Sequence, residues 1–255
     1  MTDVLTLALD VAREAGELLR GHLREPLAIR EKRERADIVT LADDASEALI
    51  VKRLRAAHPS ATILTEESGV HAGSDEERWI VDPLDGTTNF AHGYPLFCVS
   101  IAYERAGELI AGVVYAPLMG ECFAAERGSG ARLGELPLRV SSIERVADAM
   151  TCTGFHPAHY ERNGKQFAAV SNRAQAVRRD GSAALDLAYV ACGRFDGFWE
   201  FGLSAWDVAA GTLLIRESGG RVTTVEDESE PSTAGSILAT NGRLHDELRS
   251  VLLTA

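Results

Sequence analysis

The amino-acid sequence predicts a layered α/β fold of the α+β kind, in which helices and sheets alternate as an α-β-α-β-α sandwich. Three patterns predict it. Apolar residues recur at three- and four-residue steps near the start of the chain (Leu5, Ala8, Leu9, Ala12, Ala15, Leu19). Short apolar runs separated by turn residues fill the segment from Phe97 to Ala125. After Met150, strand and helix patterns take turns. The expected halves are 1–137, an antiparallel sheet plus two helices, and 138–255, a mixed sheet with helices.

In order, the first helix covers residues 3–24, and the charged run Arg30–Arg35 reads as an exposed loop. A second helix runs from about Ala42 to Ala57 and ends at His58-Pro59. Ala61–Thr65 is a strand delivering Glu66-Glu67, Gly69–Arg78 a polar linker, and Trp79–Val81 a strand ending in Asp82. Phe97–Glu104, Leu109–Tyr115 and Glu121–Ala125 form an antiparallel meander, followed by turns at Gly128–Gly130 and a last strand over Leu136–Val140. In the second half, strands are expected at Met150–Thr153, Ala176–Arg178, Phe198–Phe201 and Ile237–Ala239. Helices are expected at Arg162–Asn172, Ala183–Cys192, Asp207–Glu217 and Leu244–Leu253. Glu226–Pro231 reads as a solvated acidic loop.

Composition narrows the function. The 255 residues are 45% hydrophobic and 25% charged, the balance of a soluble globular protein. No secretory leader and no apolar run of roughly 20 residues is evident, so a cytoplasmic location without membrane contact is expected. The four cysteines (Cys98, Cys122, Cys152, Cys192) lack zinc-finger or redox spacing and read as buried small hydrophobes. The net charge of −12 argues against nucleic-acid binding. An acidic protein acting on an anion needs divalent cations to reverse the local field, which directs attention to the carboxylates.

The segment Trp79-Ile-Val-Asp82-Pro-Leu-Asp85-Gly-Thr-Thr-Asn-Phe90 ends a buried strand with two aspartates, and Pro83 stiffens the backbone between them. Magnesium takes hard oxygen ligands in octahedral geometry, and free amides at a following helix start suit a phosphate. Glu66 at another strand end, Asp207 after Trp206 and Asp43 early in the second helix are further acids able to join them. Each aspartate has an ordinary alternative, a helix-capping role for Asp85, Asp207 and Asp43.

Asp82–Phe90, Glu66-Glu67-Ser68 and Trp206-Asp-Val-Ala-Ala-Gly211 resemble the signatures of the inositol monophosphatase family, as do Gly181-Ser-Ala-Ala-Leu-Asp186 and Trp199-Glu200. The likeness is to bacterial-type members and runs over almost the whole chain. It implies hydrolysis of inositol monophosphate or a similar small polyol or sugar phosphate by metal-activated water. Two or three magnesium ions, lithium sensitivity and a homodimer are implied with it. Glu66, Asp82 and the Leu84 carbonyl resemble ligands of a first ion; Asp82, Asp85 and Asp207 resemble those of a second. The amides of Gly86 and Thr87 resemble the phosphate contacts, and Thr87 with Asp43 the pair that orients and deprotonates the attacking water. Ala183 and Glu200, together with Asp85 and Asp207, resemble the substrate contacts.

Some positions depart from that pattern. Ser204 stands where animal members tend to carry histidine, and Gly154-Phe-His-Pro-Ala-His159 differs from theirs, placing His156 and His159 beside the expected pocket. Lys32 matches a family position near the site, and Gly134-Glu135 replaces a common Asn-Gly turn. The alternatives are a sibling phosphatase for histidinol phosphate, fructose 1,6-bisphosphate or a 3′-phosphoadenosine nucleotide, and a protein that keeps the metal site but acts through a protein partner. Glu200 with Gly181–Ala183 favours a polyol, and no aromatic base clamp supports the nucleotide.

Overall fold

The computed structural model describes residues 2–23, 29–31, 38–156, 159–227, 229 and 235–255. Lys32 and part of the acidic Glu226–Pro231 segment lie outside them. The elements run α1 (Asp3–His22), β1 (Ile29–Glu31), β2 (Ile38–Thr40), α2 (Leu41–Ala57), β3 (Ala61–Thr65), β4 (Gly69–His71), β5 (Ser74–Asp85) and α3 (Thr87–Ala91). Then come β6 (Cys98–Arg105), β7 (Glu108–Ala116), β8 (Glu121–Glu126), β9 (Gly130–Leu133) and β10 (Leu136–Pro137). The rest of the chain supplies β11 (Met150–Thr153), α4 (Tyr160–Ser171), β12 (Ala176–Arg178), α5 (Ala183–Ala191), β13 (Gly197–Leu203), α6 (Ala205–Glu217), β14 (Arg221–Thr223), β15 (Gly235–Thr240) and α7 (His245–Leu253).

Two sheets carry the fold: an eight-stranded one in the order β10-β9-β8-β7-β6-β5-β3-β4, and a five-stranded one in the order β12-β11-β13-β15-β14. Strand alternation builds the layers. On β6, Val99, Ile101 and Tyr103 point to the side covered by α1 and α2, while Cys98 and Ala102 point to α5 and α6. On β13, Phe198 faces that same inner helix layer, and Trp199 faces the outer layer of α4 and α7. The α-β-α-β-α sandwich follows, with α5 and α6 enclosed between the sheets. Apart from Asp186 and Thr212 these two helices bury apolar residues and glycine, because water reaches little of either.

Several elements differ from expectation. The charged run begins in strand: Ile29–Glu31 pairs antiparallel with Ile38–Thr40. The polar linker is strand as well, forming β4 and the first half of β5, because edge and end positions of a sheet tolerate polar side chains. β3 and β5 are parallel, so this sheet is mixed and not a pure meander. β9 and β14 are short strands whose sequences carry no alternation strong enough to announce them.

Candidate active site

β5 brings the first two acids. Asp82 and Asp85 are three residues apart, a spacing that would put them on opposite faces of a regular strand. Pro83 has no N–H for the ladder, and the register against β6 shifts there: Asp82 pairs with Ser100 and Asp85 with Cys98. Three steps on β5 match two on β6, so one extra residue is accommodated as a bulge, and both carboxylates turn to the inner helix layer. Asp82 Oδ1 accepts from the Leu84 amide at 3.0 Å, which fixes its rotamer.

α5 and α6 supply the facing side. Asp207 is in the first turn of α6, where its Oδ2 accepts from the Ser204 amide at 2.6 Å. Ser100 of β6 anchors this turn by donating to the Trp206 carbonyl at 3.2 Å. Carboxylate oxygens of Asp82, Asp85 and Asp207 lie within 4.8 Å of one another. Glu66, half-buried after β3, adds its charge to Asp82 and Asp207.

Such crowding is costly without a cation. Burial, then the charges of Glu66, Asp85 and Asp207, push Asp82 well above the usual carboxylate range. Burial, then Asp85 and Glu66, do the same to Asp207. Asp85 is raised less: burial lifts it, but Ser182 Oγ at 2.6 Å and the Ala184 amide at 2.8 Å donate to its Oδ2. The donor set is all hard oxygen, so these residues fit a small divalent cation. Asp85 does not cap the following helix. Gly86 is the N-cap of α3, at φ 91, with its α-carbon so near the Leu96 carbonyl that a methyl would approach that oxygen to 3.0 Å.

The other acid–hydroxyl pair is also formed. Thr87 Oγ1 stands 2.9 Å from Asp43 Oδ1 and 3.1 Å from the Leu84 carbonyl, and its single proton can serve only one at a time. Asp43 Oδ2 meanwhile accepts from the Thr40 amide at 2.8 Å and the Thr40 hydroxyl at 2.6 Å. Asp43 therefore braces the start of α2 through one oxygen and faces Thr87 through the other.

Glu200 of β13 is buried, and burial with the Asp85 charge raises its pKa to about 8, opposed by Arg179. Gly154, at the end of β11, passes so close that a β-carbon there would overlap the Glu200 carboxylate. The Ala183 amide points at Asp85. His156 and His159 pack beyond Glu200, their rings 5.8 Å apart and close to the Gly202 backbone. Ser204 serves α6 through its backbone, as above.

Several supporting residues gave no sign of themselves in the sequence. Glu47 of α2 accepts from the Glu67 and Ser68 amides at 3.0 and 3.1 Å, holding the turn that carries Glu66. Asn89 donates to the Leu96 carbonyl at 2.6 Å and the Asp180 carbonyl at 2.8 Å, tying α3 to the second half of the chain. Ser46 donates to the Pro83 carbonyl at 2.8 Å. Only Asn89 lay inside a recognised motif.

Comparison with known proteins fits this arrangement into a class. The fold superposes on the crystal structure of the extragenic suppressor protein suhB from Bartonella henselae with a TM-score of 0.95, at 42% identity and covering 98% of each chain. An inositol-1-monophosphatase of Rhizobium meliloti is 45% identical over 95% of this chain and 90% of its own. A protein of Pasteurella multocida named Nus factor SuhB is 42% identical over 97% of this chain and 95% of its own. The model described as the inositol monophosphatase family matches residues 1–254, and the chain belongs to that family. It is a phosphatase of this family. Among the described residues no helix is long and apolar enough to cross a membrane.

Proposed function

We propose that the protein is a magnesium-dependent phosphatase for inositol monophosphate or a similar small polyol or sugar phosphate. The observation that carries this reading is the meeting of buried Asp82 and Asp85 with half-buried Asp207, from the two halves 1–137 and 138–255, in one oxygen-lined site. Glu66, Asp82 and the Leu84 carbonyl would hold one ion, and Asp82, Asp85 and Asp207 a second; Glu66 would reach a third. Bound magnesium supplies charge neutralisation at the phosphoryl oxygens and acidification of the attacking water.

The chain's own groups do the rest. The amides of Gly86 and Thr87 orient the phosphoryl group. Thr87 Oγ1 accepts a proton from water as its own passes to Asp43 Oδ1, a contact of 2.9 Å. Glu200, a buried carboxyl whose pKa burial and the Asp85 charge raise, hydrogen-bonds the hydroxyls of a polyol. Ala183 contributes its backbone to the same hydroxyls. A histidinol, fructose bisphosphate or nucleotide substrate would use the same chemistry.

The test is phosphate release from a panel of these substrates, with magnesium and lithium titrated. Inositol phosphate turned over fastest, dependent on magnesium and inhibited by lithium, is the expected result. Undiminished turnover in chelator would sink the metal reading; a faster histidinol or nucleotide phosphate would replace the substrate and keep the chemistry. A second role rests on the relatives named Nus factor SuhB. It predicts that a catalytically dead Asp82→Asn protein still restores a partner-dependent phenotype. We also infer a cytoplasmic homodimer, to be checked by fractionation and sedimentation.

A further inference from the structure

A second cluster of ligating atoms stands behind the turn that grips Asp85. Cys152 Sγ on β11, a carboxylate oxygen of Asp180 after β12 and one of Asp186 on α5 lie within 4.8 Å of one another. Cys152 and Asp186 are buried, and Asp180 is half-buried, which opens the cluster on one side. Asp186 is the one charged residue of α5, whose other members are alanine, leucine, valine and tyrosine.

The Cys152 thiol faces the Asp186 carboxyl group across the cluster. Among the described residues Asp186 Oδ1 is enclosed without a hydrogen-bond partner, in a residue only 2% exposed. An orphaned carboxyl oxygen in such a place is costly to leave unmet. The phosphatase chemistry proposed above makes no use of it. A cation in the cluster would satisfy it.

We propose that Cys152, Asp180 and Asp186 bind a thiophilic divalent cation of the zinc class, at a site separate from Asp82, Asp85 and Asp207. The donor set selects the ion. Magnesium takes oxygen alone, whereas zinc accepts a thiolate with carboxylates in tetrahedral geometry and keeps a fourth position for water. Bond lengths of about 2.0–2.3 Å put neighbouring ligands of one zinc about 3.5 Å apart, so side-chain rotation has to close the cluster slightly. Burial favours the protonated thiol and the protonated Asp186, so cation entry must expel protons: the thiol and carboxyl each lose one as the metal bonds form. The ion would join β11 to the 180–186 turn. That turn accepts from Asn89 through the Asp180 carbonyl and holds Asp85 through Ser182 and Ala184.

The test uses the full chain in saturating magnesium, titrated with cadmium as the spectroscopic stand-in for zinc. One equivalent should bind with a sulfur-to-metal charge-transfer band and release of protons. The band should vanish in Cys152→Ser, weaken in Asp186→Asn, and persist in Cys98→Ala, which removes the thiol 3.7 Å from Asp85. Basal turnover of Cys152→Ser in metal-free buffer plus magnesium should be unchanged. X-ray absorption on the wild-type cadmium complex needs no variant to fold; it should report one sulfur among oxygens. An oxygen-only shell, a band that survives Cys152→Ser, or one lost in Cys98→Ala would overturn the proposal.

Discussion

The eight-stranded sheet presents Asp82 and Asp85 to the site on the end of a strand, whereas the inner helix α6 presents Asp207 from its first turn. On β5 the extra residue at Pro83 sets the direction of both Asp82 and Asp85. On α6 a backbone amide grips Asp207, and on α5 the helix start grips Asp85 from across the interface. The first arrangement needs only the adjacent strand, against which β5 bulges at Pro83. The second depends on two halves of the chain staying in register, because Asp85 and Ala184 are separated by 99 positions. Strand-end acids are thus aimed by pairing with the neighbouring strand, and the site is completed only by packing across the two sheets.

The largest effects should come from removing one acid on either side. Asp82→Asn and Asp207→Asn are each expected to lower kcat/KM by on the order of 10³-fold or more, with the fold retained by circular dichroism. If the strand end sufficed alone, Asp207→Asn would keep near-normal turnover. Thr87→Ala, which leaves every proposed metal ligand's side chain in place, should cost about 10²-fold in kcat with little change in magnesium affinity. A fall in magnesium affinity instead would move Thr87 from proton transfer to site assembly.

Ser182→Ala tests the grip across the halves. It removes one hydrogen bond to a buried carboxylate, about 1.5–3 kcal/mol, and should raise the magnesium requirement by roughly ten- to hundredfold, with kcat restored at high magnesium. A kcat loss that magnesium cannot rescue would show that the contact does more than orient Asp85.

Cation removal and pH sharpen the same contrast thermodynamically. The carboxyls of Asp82, Asp85 and Asp207 are raised, so in chelator they contribute stability at low pH that is lost as pH rises past the ordinary carboxylate range. Magnesium should therefore raise Tm, and raise it more at pH 8 than at pH 5. Glu200 has the smallest expected effect. Its folded pKa of about 8 against an ordinary 4.5 makes it destabilising progressively between those values as pH climbs. Glu200→Gln should flatten that part of the Tm-against-pH curve in chelator; an unchanged slope would mean the carboxylate is solvated.

The candidate site was legible in the sequence to the extent that its parts were strand ends and helix starts. Asp82-Pro-Leu-Asp85-Gly carries its own turn chemistry, and Trp206-Asp207 opens an apolar helix, so both read out locally. Glu47, Ser46 and Asn89 did not, because each bonds a backbone group whose neighbourhood only packing creates. β1 and the first half of β5 carry no strand pattern of their own, because polar residues dominate them. Their strand pairing is a property of the partner strand as much as of their own residues.

By itself the sequence determined the periods of most helices and strands, the layered α/β class, and the acids able to bind a cation, since these rest on residue type and near-neighbour spacing. The tertiary structure alone decided that Asp82 and Asp85 face the same way, through the bulge beside β6. It also decided that α5 and α6 lie between the two sheets, where Ser182 and Ala184 reach Asp85 and Asp207 meets it. Facing directions of side chains and contacts across about a hundred residues arise from packing two sheets on one helix layer, and no local pattern encodes them.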